Sequence, residues 1–489
     1  MSEAPPPQPR RLHPATLIAR SVRIVPQMLG GGVAYAAVIV QEGLARVLLF
    51  AAVAAVFGLA VALLGWWRFR YTVGPSEIVI ESGIVRRRRR VIPYDRIQDI
   101  AIERPLLARL LGTARVKIET GGSAADEGDL DMIALADASE LRDHVRHGAA
   151  AASAEAAEEP VLFELGVLRL LQSGLFDFSL LFLAVIFGIF QYLDQFGLVD
   201  MTEWLNPKRA DAAAGLANLR VTAVLIGLLL LLGILTGVAR TAARDFGFRL
   251  TRAPGGLRRR RGLFTLSEVV IPIRRTQVAL VESDLLSRLL GWYRLSFQTL
   301  GADRAEGGVQ VAAPFARLEE VAAVLAEAGF PAPPPRRDFE RLPRRAWVRR
   351  AGPPVVLAIA LVSAALVFEP RLTIAAAAAG AVGLAALLRW RKHAYALDGQ
   401  ALFVTSGLFK RRIWTIPFEK TQTIVVSSGP VQRRLRLASL LVDTAGAAVI
   451  RAPEIVDLDA GDAGALQERL LRLFHERRRW PAAAAGAKG

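Results

Sequence analysis

Gly83-Ile84-Val85-Arg86-Arg87-Arg88-Arg89-Arg90-Val91-Ile92-Pro93-Tyr94-Asp95-Arg96-Ile97-Gln98 is a stretch that the chain uses three times. The second copy runs from Gly262-Leu263-Phe264 through Pro272 to Gln277. The third runs from Gly407-Leu408-Phe409-Lys410-Arg411-Arg412 through Pro417 to Gln422. In each copy the Gly precedes the Pro by ten residues and the Gln follows the Pro by five. A frame kept at fixed spacing marks one structural unit reused, so the fold of this unit sets the fold of the chain.

The composition says where such units sit. The chain has 489 residues, is 53% hydrophobic and carries 62 Lys+Arg against 45 Asp+Glu, a net charge of +17. Its mean hydropathy is +0.34. Apolar membrane spans beside strongly basic aqueous parts account for both properties. They also make nucleic acid an unneeded partner for the charge. Cysteine is absent, which excludes disulfides, thiol catalysis and thiolate zinc sites. Residues 1–21 are Pro-rich, with no cleavable signal pattern, and read as a disordered lead-in.

The apolar stretches come in pairs. Val22 to Val40 and Val47 to Trp67 form hairpin 1 (22–67). Leu175 to Val199 and Leu219 to Ala239 form hairpin 2 (175–239). Pro353 to Phe368 and Leu372 to Leu388 form hairpin 3 (353–388). About 20 residues of helix cross a hydrocarbon core of about 30 Å. The turns inside the hairpins hold few basic residues, whereas the segments between hairpins are rich in arginine. The positive-inside rule then places both termini and all three repeats in the cytoplasm, on a bacterial inner membrane.

Each hairpin leads into an aqueous unit (68–147, 240–330 and 389–478). In the first, Glu77 to Glu81 alternates as a strand, Ser82-Gly83 turns, and Arg86 to Pro93 and Ile97 to Glu103 follow as strands. Pro105 to Leu111 reads as a helical turn, Ala114 to Thr120 and Leu130 to Leu135 as further strands, and Asp137 to His147 as a closing helix. The later units keep this order and close on Phe315 to Ala328 and Asp462 to Arg478. Short strands with turn punctuation, capped by a helix, indicate an antiparallel sheet or small barrel. Residues 148–174 and the Pro/Arg-rich 331–352 read as linkers, and 479–489 as a disordered tail.

Two spans followed by a small β unit with this Gly-Pro-Gln frame, three times over, resembles the bacterial pleckstrin-homology family of YdbS/YdbT-like multi-pass membrane proteins. The resemblance covers about Arg20 to Arg478 and rests on architecture. It implies an α+β membrane protein with six spans, in which each hairpin is followed by a pleckstrin-homology-like antiparallel β-barrel capped by a C-terminal helix. It implies no assigned biochemical activity.

The basic runs are the sharpest candidate for chemistry. Arg86, Arg87, Arg88, Arg89 and Arg90 follow the first Gly. Arg258, Arg259, Arg260 and Arg261 precede the second. Lys410, Arg411 and Arg412 follow the third. Successive strand residues point to opposite faces, so five arginines cannot all meet one ligand. Contact with anionic lipid headgroups from a membrane-facing hairpin tip is one reading, and a solvated basic turn that enforces topology is the other. Gly83, Pro93, Gln98, Gly262, Pro272, Gln277, Gly407, Pro417 and Gln422 read as structural, with Pro marking a strand end.

No catalytic constellation appears. There is no Gly-x-Ser-x-Gly elbow, Walker A loop or dinucleotide-binding glycine motif. His144 and His147 lack a third metal ligand. The acidic Asp126-Glu127-Gly128-Asp129-Leu130-Asp131 lacks calcium-loop spacing. Asp177 and Asp194 are the candidates for ionisable residues within a span, and both can lie at span ends, which argues against a proton- or ion-coupled pump. The sequence therefore predicts a non-enzymatic membrane-apposed scaffold, or a lipid- or envelope-stress-related module, without cofactor or metal. Anionic lipid is its expected partner, and a protein partner or homo-oligomer stays open. A transporter or lipid-handling protein with a six-helix pathway is the alternative.

Overall fold

The computed structural model describes residues 9–17, 56, 58–84, 86–120, 128–141, 159–177, 188, 212–299, 308–368, 372–444 and 453–484. The expected span 22–40, most of 175–199, Asp126, Glu127, His144, His147 and Asp194 lie outside these residues.

In the first repeat, helix α1 (residues 58–68) runs into β1 (Arg70–Val73), β2 (Glu77–Ser82) and β3 (Arg88–Pro93). A corner follows, then β4 (Ile97–Pro105), β5 (Thr113–Thr120) and β6 (Gly128–Ala134). The second repeat opens with β7 (Val161–Glu164), α2 (Val167–Phe176) and the long helix α3 (Ala212–Asp245). It continues with β8 (Arg249–Ala253), β9 (Gly256–Arg261) and β10 (Thr265–Pro272). After its corner come β11 (Thr276–Ser283), β12 (Tyr293–Thr299), β13 (Val309–Ala316) and α4 (Leu318–Glu327). The third has β14 (Glu340–Arg341), α5 (Arg345–Val367), α6 (Leu372–Lys392), β15 (Ala394–Leu397), β16 (Ala401–Ser406) and β17 (Arg411–Pro417). Then come β18 (Thr421–Ser427), β19 (Leu437–Thr444), β20 (Glu454–Asp459) and α7 (Ala460–Ala484).

The recurring frame has a mechanical meaning. Gly83, Gly262 and Gly407 sit at the tips of the β2–β3, β9–β10 and β16–β17 hairpins with φ of 107°, 117° and 104°. A Cβ there would collide with the carbonyl oxygens of Arg86, Thr265 and Lys410, so only glycine makes this turn. Pro93, Pro272 and Pro417 end their strands and lead into the one-turn 3-10 helices Tyr94–Arg96, Ile273–Arg275 and Phe418–Lys420. Gln98, Gln277 and Gln422 each fall at the register shift that opens the next strand. Such a bulge bends a strand out of the previous plane. Turn, corner and bulge together break each repeat into two three-stranded halves.

That break opens the barrels, which corrects the expectation of closed ones. The halves do not pair with each other across the corner. β4 pairs with β10 of the next repeat, and β11 with β17 of the one after. The ladders run β6-β5-β4-β10-β9-β8-β7 and β13-β12-β11-β17-β16-β15-β14, with three-stranded sheets β1-β2-β3 and β18-β19-β20 at the two ends. Apolar packing still respects the repeats. Ile78, Ile80 and Ile92 from one half meet Ile100, Val116, Ile118 and Leu130 from the other in one buried cluster. Equivalent clusters gather around Leu250, Phe297 and Val324, and around Leu402, Leu440 and Leu466. Each repeat is therefore one core spread over two sheets, and each seven-stranded sheet belongs to two repeats.

The segments before the hairpins correct the expected lead-in and linkers. Arg10 exchanges backbone hydrogen bonds with Tyr71 at 2.7 and 3.0 Å, and Leu12 and Thr16 are buried. β7 pairs with β8 and β14 with β15 in the same way. A strand entering each hairpin thus pairs with the strand leaving it. This satisfies an edge that composition alone assigned to a disordered chain. The expected tail also shortens, because α7 continues to Ala484.

Six spans were expected. Among the described residues, two helices are long and apolar enough to cross a membrane, α5 and α6. α5 begins at Arg345, ahead of the expected Pro353, and takes Pro353 and Pro354 inside it. The pair packs through small residues, Ala351, Ala376, Ala379 and Gly383, with Gly383 against Val355, the contact that lets helix backbones approach. α3 contains the expected 219–239 stretch and leaves Leu228, Leu230, Leu231, Leu232 and Leu235 exposed.

Candidate functional site

Two basic clefts lie at the ends of the apolar helices. The first opens where α1 meets the β2–β3 hairpin. Trp67, Arg68 and Arg70 line one side, and Arg87, Arg88 and Arg89 the other, around a space of about 470 Å³. Among the described residues Glu81 is the one carboxylate in the lining, and it stands 3.7 Å from Arg89. Arg86 to Arg89 are exposed, whereas Arg90 is half-buried. The register sets this: Arg89 faces Glu81, and Arg90 faces Ile80 on the core side. Arg68 also lies 5.9 Å over the Trp67 ring.

The second cleft lies between repeats 2 and 3 and is larger, about 860 Å³. Arg244 at the end of α3, Arg350 on α5, Arg389 on α6, Arg294 on β12 and Lys410 with Arg412 from the third hairpin all face it. Asp245, Glu282 and Glu454 are its carboxylates. Lys410 and Arg412 reach Glu282 at 3.2 and 3.0 Å. Burial pushes the Glu282 carboxyl up, but these two cations outweigh it and hold it below the usual range.

The second arginine run, unlike the first, is largely buried or paired. Arg259 is 2% exposed, and its Nη1 donates to the Val311 carbonyl at 3.2 Å. Arg261 is buried against Asp245 at 3.2 Å. Arg258 pairs with Glu159 at 2.9 Å, and Arg260 is exposed. In the third run, burial and the nearby Arg336 and Arg288 push the Arg411 guanidinium down to about 10. The charge run follows the hairpin in repeat 1 and precedes it in repeat 2, so the two runs occupy different arms and meet different surroundings.

Sequence reasoning missed the polar hub below α5. Asp457 is fully buried with a φ of 68°. It accepts from Arg349 at 2.6 and 2.7 Å, from Arg350 at 2.8 Å and from Gln432 at 2.8 Å. Burial raises its carboxyl, and these donors hold it below the usual range. The hub ties the first turns of α5 to β20. Beside it, His393 Nε2 accepts the Val456 N–H at 3.3 Å. Burial and the Arg350 charge lower this imidazole to about 4, so it is neutral at pH 7. Arginines flanking a hairpin were the available signal, and topology was reason enough for them.

The remaining candidates take structural places. Gln277 is buried and donates to the Arg275 carbonyl at 3.0 Å, while Gln422 is exposed. Asp129 and Asp131 lie on β6, and both pair with Arg115. Asp177 follows α2 and accepts from Thr241 at 3.2 Å. Among the described residues no group of three or more His, Asp or Glu is placed to hold a metal.

The family model described as Bacterial PH domain matches residues 24–149, 178–328 and 355–474, one match per repeat. The chain belongs to the bacterial PH domain family. Its arrangement is also similar to a curated relative, the UPF0699 transmembrane protein YdbT of Bacillus subtilis (strain 168). The two are 21% identical over 482 residues, covering 93% of this chain and 97% of that protein. No solved structure matches. In this bacterial PH chain the match boundaries fall with the hairpins, so each matched unit includes helix and β structure together.

Proposed function

We propose that the chain is a non-enzymatic, multi-pass inner-membrane protein that holds three PH-like repeats against the cytoplasmic face and contacts anionic lipid headgroups there. One observation carries this reading. The cleft under α1 gathers Arg68, Arg70, Arg87, Arg88 and Arg89 beside Trp67, with Glu81 as its one carboxylate among the described residues. Tryptophan and arginine at the end of an apolar helix suit the headgroup level. Each basic residue near an anionic surface contributes about 1 kcal/mol before screening. The similarity to a protein named as transmembrane supports the membrane setting. Arg389, Arg391 and Lys392 in the last turn of α6 support the cytoplasmic side. A basic cleft at the membrane end of an apolar helix suits a scaffold or lipid-responsive module.

The test uses the full chain extracted in polymer discs with its native lipids. Mass spectrometry of the retained lipid is expected to show anionic lipid enriched over the bulk membrane. Arg87→Ala, Arg88→Ala and Arg89→Ala combined are expected to lower that enrichment several-fold with the melting temperature unchanged. Equal enrichment in the triple variant would overturn the headgroup assignment.

A further inference from the structure

The two junctions between repeats are built in one register. Glu103, ten residues past Pro93, faces Ser267, five before Pro272. Glu282, ten past Pro272, faces Arg412, five before Pro417. The strand after one repeat's corner thus takes the strand before the next repeat's corner as its neighbour, twice, without slippage. Two strands of the same kind are left over. β3 has only β2 beside it among the described strands, and β18 only β19.

Burial records what these strands lack. On β18, Val425 is 42% exposed, while its counterpart in repeat 1, Ala101, is 5% exposed. Ile424 and Val426 are half-buried, whereas Ile100, Ala279, Ile102 and Val281 at the same positions are buried. On β3, Val91 is 45% exposed and its counterpart Thr415 is fully buried. β18, with the sequence Thr-Gln-Thr-Ile-Val-Val-Ser, also lacks the charge and proline that protect many edges. β3, by contrast, is charged through Arg88, Arg89 and Arg90, which opposes pairing with a second β3 and leaves an uncharged strand as its suitable neighbour.

We infer that β18 of one copy pairs with β3 of a second copy of this chain, repeating the internal junction between molecules. The register follows from the two internal examples: Ile424 opposite Val91 of the second copy, Val425 opposite Arg90, Val426 opposite Arg89, and Ser427 opposite Arg88. Gln467 of α7 donates to the Ile424 carbonyl at 3.4 Å, a side-chain bond that the incoming strand replaces with a backbone ladder. The contact is heterologous, so it builds chains or closed rings. The same step that advances repeat 1 to repeat 2 then advances one copy to the next, and all copies keep one membrane orientation.

The chain contains no cysteine, so a crosslink reports cleanly. The full chain in native membranes carrying both Arg88→Cys and Ser427→Cys is expected to form, on mild oxidation, a ladder of bands at multiples of the single-chain mass. Each single variant alone is expected to give none, and the two single variants mixed in one membrane are expected to stop at two chains. Arg86→Cys with Ser427→Cys, off register, is expected to lose most of the ladder. Four results would overturn the proposal: no band above one chain, a bond closed within one chain, dimers from Ser427→Cys alone, or a bond only to a different polypeptide. Val426→Pro compared with Val426→Ala supplies a second reading, because residues 424 and 426 turn their backbone groups to the open edge while Val425 turns its own to β19: a smaller assembly by light scattering than in the Ala variant at an equal melting temperature supports the ladder, and an assembly equal to that of the Ala variant opposes it.

Discussion

Arg86–Arg90 and Arg258–Arg261 have nearly the same composition and opposite fates. The first run comes after its hairpin glycine, stands at the end of the ladder and keeps Arg86 to Arg89 in solvent around the α1 cleft. The second comes before its glycine, lies on β9 inside a seven-stranded sheet and buries two of its four guanidinium groups. A charge on a strand is functional or structural according to which face and which neighbour it meets, and neither is set by the residue type. Buried charges require partners, which is why Arg259 meets a backbone carbonyl and Arg261 meets Asp245.

Charge reversal tests this contrast most severely. Arg259→Glu places a carboxylate where a buried cation donates to a backbone carbonyl and is expected to destabilise the chain by about 3–5 kcal/mol. Arg88→Glu, in solvent, is expected to change stability by no more than about 0.5 kcal/mol. Denaturant melts of both variants in detergent give the answer, and equal losses would dissolve the distinction between the two runs.

Acid tests how much added charge the interior between repeats 2 and 3 accepts. His393 has a folded pKa of about 4 against an ordinary 6.5, so the folded chain binds fewer protons than the unfolded one between those values. Stability is therefore constant above pH 6.5 and falls as the pH drops towards 4, by up to about 3 kcal/mol from this group. His393→Gln is expected to flatten that part of the profile. A variant with the same slope would assign the loss to other groups.

A smaller loss is expected from Asp245→Asn. Asp245 is 1% exposed and holds both Arg244 and Arg261. Replacing a charged acceptor with a neutral one is expected to cost about 2 kcal/mol. At the other extreme, neutralising Arg87, Arg88 and Arg89 together is expected to leave the melt unchanged within about 0.5 kcal/mol while lowering anionic-lipid retention. A large loss of stability there would make the first run as structural as the second.

The two sites differ in how legible they were. The Arg86–Arg90 run could be seen in the sequence because adjacent residues form it. The cleft between repeats 2 and 3 could not, because Arg244, Arg294, Arg350, Arg389 and Lys410 come from five separate elements. His393 and Asp457 were equally hidden. Each is ordinary in sequence, and becomes special only when β20 is brought against the first turns of α5.

By itself the sequence determined the repeat, its strand order and the role of its landmarks. Hydrophobic alternation, a glycine with no tolerated Cβ and a proline with fixed φ act locally, within a few residues of chain. Tertiary structure alone decided which half-sheet each strand joins. Turn, corner and bulge leave two exposed ladder edges per repeat, and a backbone edge carries no label for its partner. The choice fell to the neighbouring repeat rather than to the repeat's own other half, so the barrels opened into a continuous series of shared sheets. That choice also decided which arginines are buried and which strands, β3 and β18, have one neighbour each among the described strands.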